Sequence, residues 1–153
     1  MKLLRRVKGK CFFQLGRREK DLLLSVLSLY PRIPSEYQRL SKVTSVDEAS
    51  QKLLEDALAD QRAENKRRLQ ALLTESGRFV KHENGWRLAL SLAELEWLLQ
   101  ILNDVRVGSW LVLGSPETRF EAVTEKTAPH IWAMEMAGGF QMEFLAAIGD
   151  GKS

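Results

Sequence analysis

In the middle of the largely apolar stretch Leu90–Glu117, LSLAELEWLLQILNDVRVGSWLVLGSPE, sit Asn103, Asp104 and Arg106. At 100° per residue, Asn103, Arg106 and Trp110 fall on neighbouring angles of one helix, with Asp104 on the far side. A guanidinium among leucines is costly to bury unless it is paired and fully hydrogen-bonded. The sequence therefore predicts a buried polar cluster of Asn103, Asp104 and Arg106 with a carboxylate from another element. Glu135 is the first candidate, because the helix expected over 128–148 is otherwise so apolar, and Glu121 is the second. If solvent reaches Arg106 instead, the same fork fits a carboxylate or phosphate ligand bidentately.

The second group with chemistry in it is basic. Lys2, Arg5, Arg6, Lys8, Lys10, Arg17, Arg18 and Lys20 face a single acid, Glu19, within the first twenty residues. Arg5, Arg6, Arg17 and Arg18 are the anion-binding candidates, and Lys66, Arg67 and Arg68 could extend the surface toward a phosphate backbone. Winged-helix recognition does not fit. The helix before the expected hairpin is too long and polar, and no turn separates two short helices.

Other chemistries lack their residues. His82 and His130 lie far apart with no ligand-type neighbours, so no metal site is expected. No G-x-S-x-G or Walker sequence occurs, and Ser109 in VGSWL reads as a small residue in helix packing. LGSPET reads as a simple helix start, whose free N–H groups could also take an anion. Cys11, beside Phe12 and Phe13, reads as a buried thiol, and a lone cysteine permits no intramolecular disulfide. No cofactor is implied.

These residues need a scaffold, and 153 residues suffice for one domain with a core. The net charge of +3 conceals an imbalance: residues 1–90 carry 19 Lys/Arg against 11 Asp/Glu, residues 91–153 carry 4 against 9. That pattern suits either an anion-binding surface or two parts of one fold that attract each other. The basic N-terminus lacks the apolar run of a signal peptide. Segment 92–113 has nearly the length of a membrane span, but Glu94, Glu96, Asp104 and Arg106 argue against insertion.

The periodicities predict a strand over 10–15, a helix from Arg17 to about Leu29 ended by Pro31 and Pro34, and a long helix from a Ser45 capping box. Phe79–Lys81 and Trp86–Leu90 read as a hairpin over 78–90, with Asn84-Gly85 supplying positive φ. Strand 10–15 is the obvious third partner. Ser91 opens a helix over 91–113, apolar on two sides and hence central. A short helix from Ser115 to about Thr127 and a last one to Gly149 follow, the latter with a seam of Ala133, Ala137, Phe140 and Phe144. The expected fold is α+β, mostly α: five helices around the buried helix 91–113, with a small antiparallel sheet from strand 10–15 and hairpin 78–90.

The pattern in EWLLQILNDVRVGSWLVLGSPE, W-L-x-x-x-L-N-D-x-R followed by W-L-x-L-G, resembles an uncharacterised bacterial family of small helical proteins. In actinobacteria, members are encoded beside the adaptor of the Clp protease. The resemblance covers residues 91–114. It implies only a mostly helical domain and a link to regulated proteolysis, and it assigns no activity, because the family's function is unknown. Composition and resemblance together suggest a non-enzymatic, cytoplasmic, bacterial interaction or regulatory protein, homodimeric through exposed apolar helix surface. A nucleic-acid or polyanion binder using the basic N-terminal face is the alternative, and an anionic-ligand site or enzyme around Arg106 the third.

Overall fold

A computed structural model describes residues 1–34, 47–114 and 123–150. Along β2 (Lys10–Leu15), Cys11, Phe13 and Leu15 are buried while Lys10, Phe12 and Gln14 are not, the alternation of a strand with one face on a core. β1 (Lys2–Val7) precedes it through a turn at Lys8 and Gly9, both at positive φ, as tight two-residue hairpins require. Next come α1 (Arg17–Leu27), α2 (Glu48–Thr74), the hairpin of β3 (Phe79–His82) and β4 (Gly85–Ser91), α3 (Leu92–Val112) and α4 (Ala128–Asp150). The sheet order is β1-β2-β4-β3, antiparallel throughout. The expected pairing of strand 10–15 with the hairpin is present, with Cys11 opposite Leu90 and Phe13 opposite Leu88.

α1, α3 and α4 pack on the sheet face that carries Cys11, Phe13, Leu15, Leu88 and Leu90. Phe13 meets Phe144 of α4 edge-on, with ring centroids 5.2 Å apart, a favoured aromatic geometry. The expected seam of α4 is buried throughout: Ala133, Ala137, Phe140 and Phe144. Its small residues let α3 and α4 pack along their length, and α3 buries Leu95, Trp97, Leu98, Ile101, Leu102 and Val105. The Ser91 capping box forms as the sequence suggests: the Glu94 amide donates to Ser91 Oγ and the Ser91 amide to Glu94 Oε1.

The architecture departs from five helices around a central one. The described residues contain four helices and a four-stranded sheet, arranged as two layers. α3 is one member of the helical layer, with Asn103, Arg106 and Trp110 on its exposed side. The unexpected strand, β1, is hidden in the sequence by its charge, because at a sheet edge with one face uncovered few of its positions need be apolar. The expected helix from Ser115 falls largely outside the described residues, and 123–127 are not helical. Ser45 also lies outside them. α2 is capped by Asp47, whose Oδ1 accepts from the Ser50 amide at 2.7 Å.

The β3–β4 turn also differs in detail. Positive φ occurs at Glu83, and Asn84-Gly85 does not supply it. Gly85 is required for another reason. A Cβ there would overlap the carbonyl of Leu15 on the neighbouring strand. No helix among the described residues is long and apolar enough to cross a membrane.

Candidate functional site

The polar trio of α3 is divided between two environments. Arg106 is exposed, and its Nη2 donates to Asn103 Oδ1 at 3.1 Å. Glu135 is exposed on α4 and lines, with Arg106, Trp110, Met142 and Leu145, an open cleft of about 710 Å³ between the two helices. The expected buried cluster of Asn103, Asp104, Arg106 and Glu135 is therefore not a core ion pair. The physical reason is that packing against α4, α1 and the sheet leaves the side of α3 that carries Asn103, Arg106 and Trp110 exposed, so a guanidinium there keeps its water. Glu121 lies outside the described residues.

Asp104 faces the other way and has a structural task. Its Oδ1 accepts from the amides of Arg32 (2.6 Å) and Ile33 (3.3 Å), fixing the loop after α1 against α3. Gly108 lies beneath that loop, where a Cβ would overlap the Arg32 carbonyl carbon and the Ile33 nitrogen. Arg32 in turn donates from Nη2 to His130 Nδ1. Burial, with Arg32's charge added, pushes the His130 imidazole below its ordinary value. Arg62 reaches the Ile33 carbonyl and Asn65 the Tyr30 hydroxyl, so α2 binds the same loop. This knot joins three helices, although Arg32 Nε and Arg62 Nε are buried in it with no hydrogen-bond partner among the described residues.

The ion pair that docks elements is elsewhere. Arg78, between α2 and β3, gives both terminal nitrogens to Glu94, at 2.8 and 2.6 Å, with Glu75 2.7 Å away. Nothing in the sequence separates this arginine from its neighbours. Its role follows from the helix end, the strand start and the α3 cap meeting at one point.

The basic N-terminal residues are sorted by strand geometry. A bulge at Leu4 shifts the register, leaving Lys2 opposite Gln14, Arg5 opposite Phe12 and Val7 opposite Lys10. Without it, Leu4 would oppose Phe12 and Arg5 would turn toward the helices. Arg5 thus stands on the sheet face that no described helix covers, whereas Arg6, opposite Cys11, belongs to the other face. Arg17 and Arg18 start α1 in the helical layer. The four candidates do not converge; of them, only Arg5 is on the open face.

What assembles around Arg5 is a different set. Three rows cross the open face: Val7, Lys10 and Ser91; Arg5, Phe12 and Ala89; Lys2, Gln14, Arg87 and Val80. Phe12 is half-buried at the centre. The Arg5 guanidinium lies 4.8 Å from its ring centroid and that of Arg87 5.2 Å, within cation–π range. Arg5, Val7, Lys8, Lys10 and Phe12 line a shallow depression of about 390 Å³. Lys2, Arg5, Lys8, Lys10 and Arg87 take part in no ion pair among the described residues. At the border, Glu83 accepts from Gln14 Nε2 at 3.1 Å.

Sequence reasoning passed over Phe12 and Arg87. Alternation in KCFFQL offered a signal, since two adjacent phenylalanines on one strand must point to opposite faces. Arg87, contributed by β4, could not be assigned to the group without the strand order.

Among the described residues no group of three His, Cys, Asp or Glu side chains is arranged to hold a metal. Cys11 is buried. Comparison of the chain with protein-family models, with curated proteins and with solved structures finds no match.

Proposed function

We propose that this is a non-enzymatic, cytoplasmic binding protein whose working surface is the open sheet face and whose ligand is a phosphate-bearing polymer. One observation carries the reading. Four cations share that face, with Lys8 in the turn at its edge, and none of the five is neutralised by a carboxylate within ion-pair distance among the described residues. Like charges gathered on adjacent strands cost stability. A polyanion removes that cost, and the counterions it releases add to the affinity.

The test is fluorescence anisotropy with a labelled nucleic acid across a salt series. Binding weakens steeply as salt rises, with a slope proportional to the number of phosphates neutralised. Replacing Arg5 and Arg87 together by Ala flattens that slope by about one to two units without lowering the thermal midpoint. Replacing Arg17 and Arg18 leaves the slope alone. Salt-independent binding, no binding, or an equal response to the Arg17 and Arg18 changes rejects the reading.

A second reading, contact with a protein partner or a second copy, rests on a separate surface. Trp110, Val112, Met142 and Leu145 are at least one-third exposed along α3 and α4, beside the Arg106 cleft. The regulated-proteolysis context implied by the resemblance belongs to this reading. A solution mass of twice 17.4 kDa at micromolar concentration supports the dimer, and the monomer mass removes it.

A further inference from the structure

We infer that the polymer is single-stranded nucleic acid and that Phe12 is the residue on which a base stacks; this rests on the polyanion reading above and narrows it. Phosphate attraction needs cations alone. The open face has something more, a phenyl ring in its middle row with a cation on either flank. A duplex hides the faces of its bases and offers such a ring nothing, whereas a single strand exposes them.

The surroundings of the ring favour a flat, unpaired base. Directly opposite Phe12 on β4 stands Ala89, whose small side chain leaves the surface beside the ring low. On the other side, the bulge at Leu4 delivers Arg5. Arg87 comes from the next row, and its Nε has no hydrogen-bond partner among the described residues. In the free protein the two guanidiniums rest on the ring. With a strand bound, one moves to a phosphate while a base takes its place, and the other remains as the second layer of the stack, since bases stack on guanidinium planes as well as on aromatic rings. Lys2 and Arg87 in one outer row and Lys10 in the other lie roughly 7 Å to either side of Phe12, given two residues of strand rise. The backbone can therefore be held before and after the stacked base.

An anionic membrane would also meet these cations. The observations favour the oligonucleotide because the apolar part of the face is one half-buried ring beside Ala89, with Val7 and Val80 at its margins. That is far less than the continuous apolar stripe with which amphipathic surface elements enter a bilayer.

The test uses the full chain with four probes: a labelled twelve-nucleotide single strand, the duplex of the same sequence, heparin, and phosphatidylserine vesicles. The single strand binds tightest. Phe12→Ala weakens it about tenfold or more, within the range measured for one stacked base, and leaves heparin binding unchanged. Phe12→Trp retains the affinity, and the fluorescence of the new indole is quenched by the single strand but not by heparin. If duplex and heparin bind as well as the single strand and Phe12→Ala changes nothing, the stacking proposal is overturned while the polyanion reading stands. If vesicles bind and no oligonucleotide does, the surface is a lipid contact and the proposal falls. If no probe binds, both readings fall.

Discussion

Arg78 illustrates how much one side chain can tie together when its donors are all used. Only 9% of its side chain is exposed. Nε donates to the Leu72 carbonyl at the end of α2 and Nη1 to the Ala89 carbonyl in β4. The Glu94 fork ties it to the capping box of α3. The requirement that a buried guanidinium be paired and fully bonded holds for this arginine, whereas Arg106 escapes it by staying in water. Removing one partner of a buried pair leaves the other uncompensated. Arg78→Ala is expected to lower the unfolding free energy by about 3 kcal/mol, read as a lower urea midpoint with an unchanged slope. Arg78→Lys should recover less than half of that, because an ammonium cannot reproduce the two-pronged contact. An Arg78→Lys variant as stable as the wild type would show that charge, and not the fork, is what matters.

At the scale of elements, the fold depends on close approach at a few glycines. Gly108 lets the loop at Arg32 and Ile33 lie directly on α3, and the Asp104 hydrogen bonds hold it there. Gly139 in α4 has nothing within 4 Å of where a Cβ would stand. The same change therefore has opposite signs at the two sites. Gly108→Ala should destabilise by about 1–3 kcal/mol through overpacking, and Gly139→Ala should stabilise by roughly 0.5–1 kcal/mol through helix propensity. Thermal midpoints moving in the same direction would contradict this account of the loop.

Elements with a strong period could be read from the chain alone. The α4 seam, the Ser91 cap and the alternation of β2 follow from local spacing, because a residue's burial there is set by its own helix or strand. β1 could not be read in this way. Its register depends on a bulge and its burial on being an edge strand, and neither property is periodic. The candidate site failed for a related reason. Arg5, Arg6, Arg17 and Arg18 are close in sequence, but a strand sends neighbours to opposite faces and the helix after it belongs to the other layer. Phe12 and Arg87, distant in sequence, are brought together by the β2–β4 pairing.

The molecule as a whole is two layers with unlike duties. The helical side of the sheet is sealed by apolar packing, and the polar groups bound into that side act as pins: Arg78 with Glu94, and Arg32 with His130 and Asp104. These pins make the stability of the entire fold respond to pH, and the sign is the same for both. Burial and Arg32's charge hold His130 below its ordinary value, so the native state takes up its proton later than the unfolded chain does. Its contribution is complete above the unfolded value of about 6.5 and is lost as pH falls below that. Burial alone would raise the Glu94 carboxyl, but the Arg78 fork and the Ser91 amide outweigh it, and the net direction is down. Its contribution is present above the unfolded value of about 4.3 and is lost as pH falls through the native one. Acidification should therefore act in two stages. The urea midpoint is level from pH 8 to 7, declines below about 6.5, and declines further below about 4.3. His130→Gln removes the first decline and keeps the second, since a neutral amide can still accept from Arg32 but does not titrate. A midpoint that rises between pH 6.5 and 5 would mean that His130 is stabilised in its charged form, and the contact with Arg32 would then have to be absent in solution.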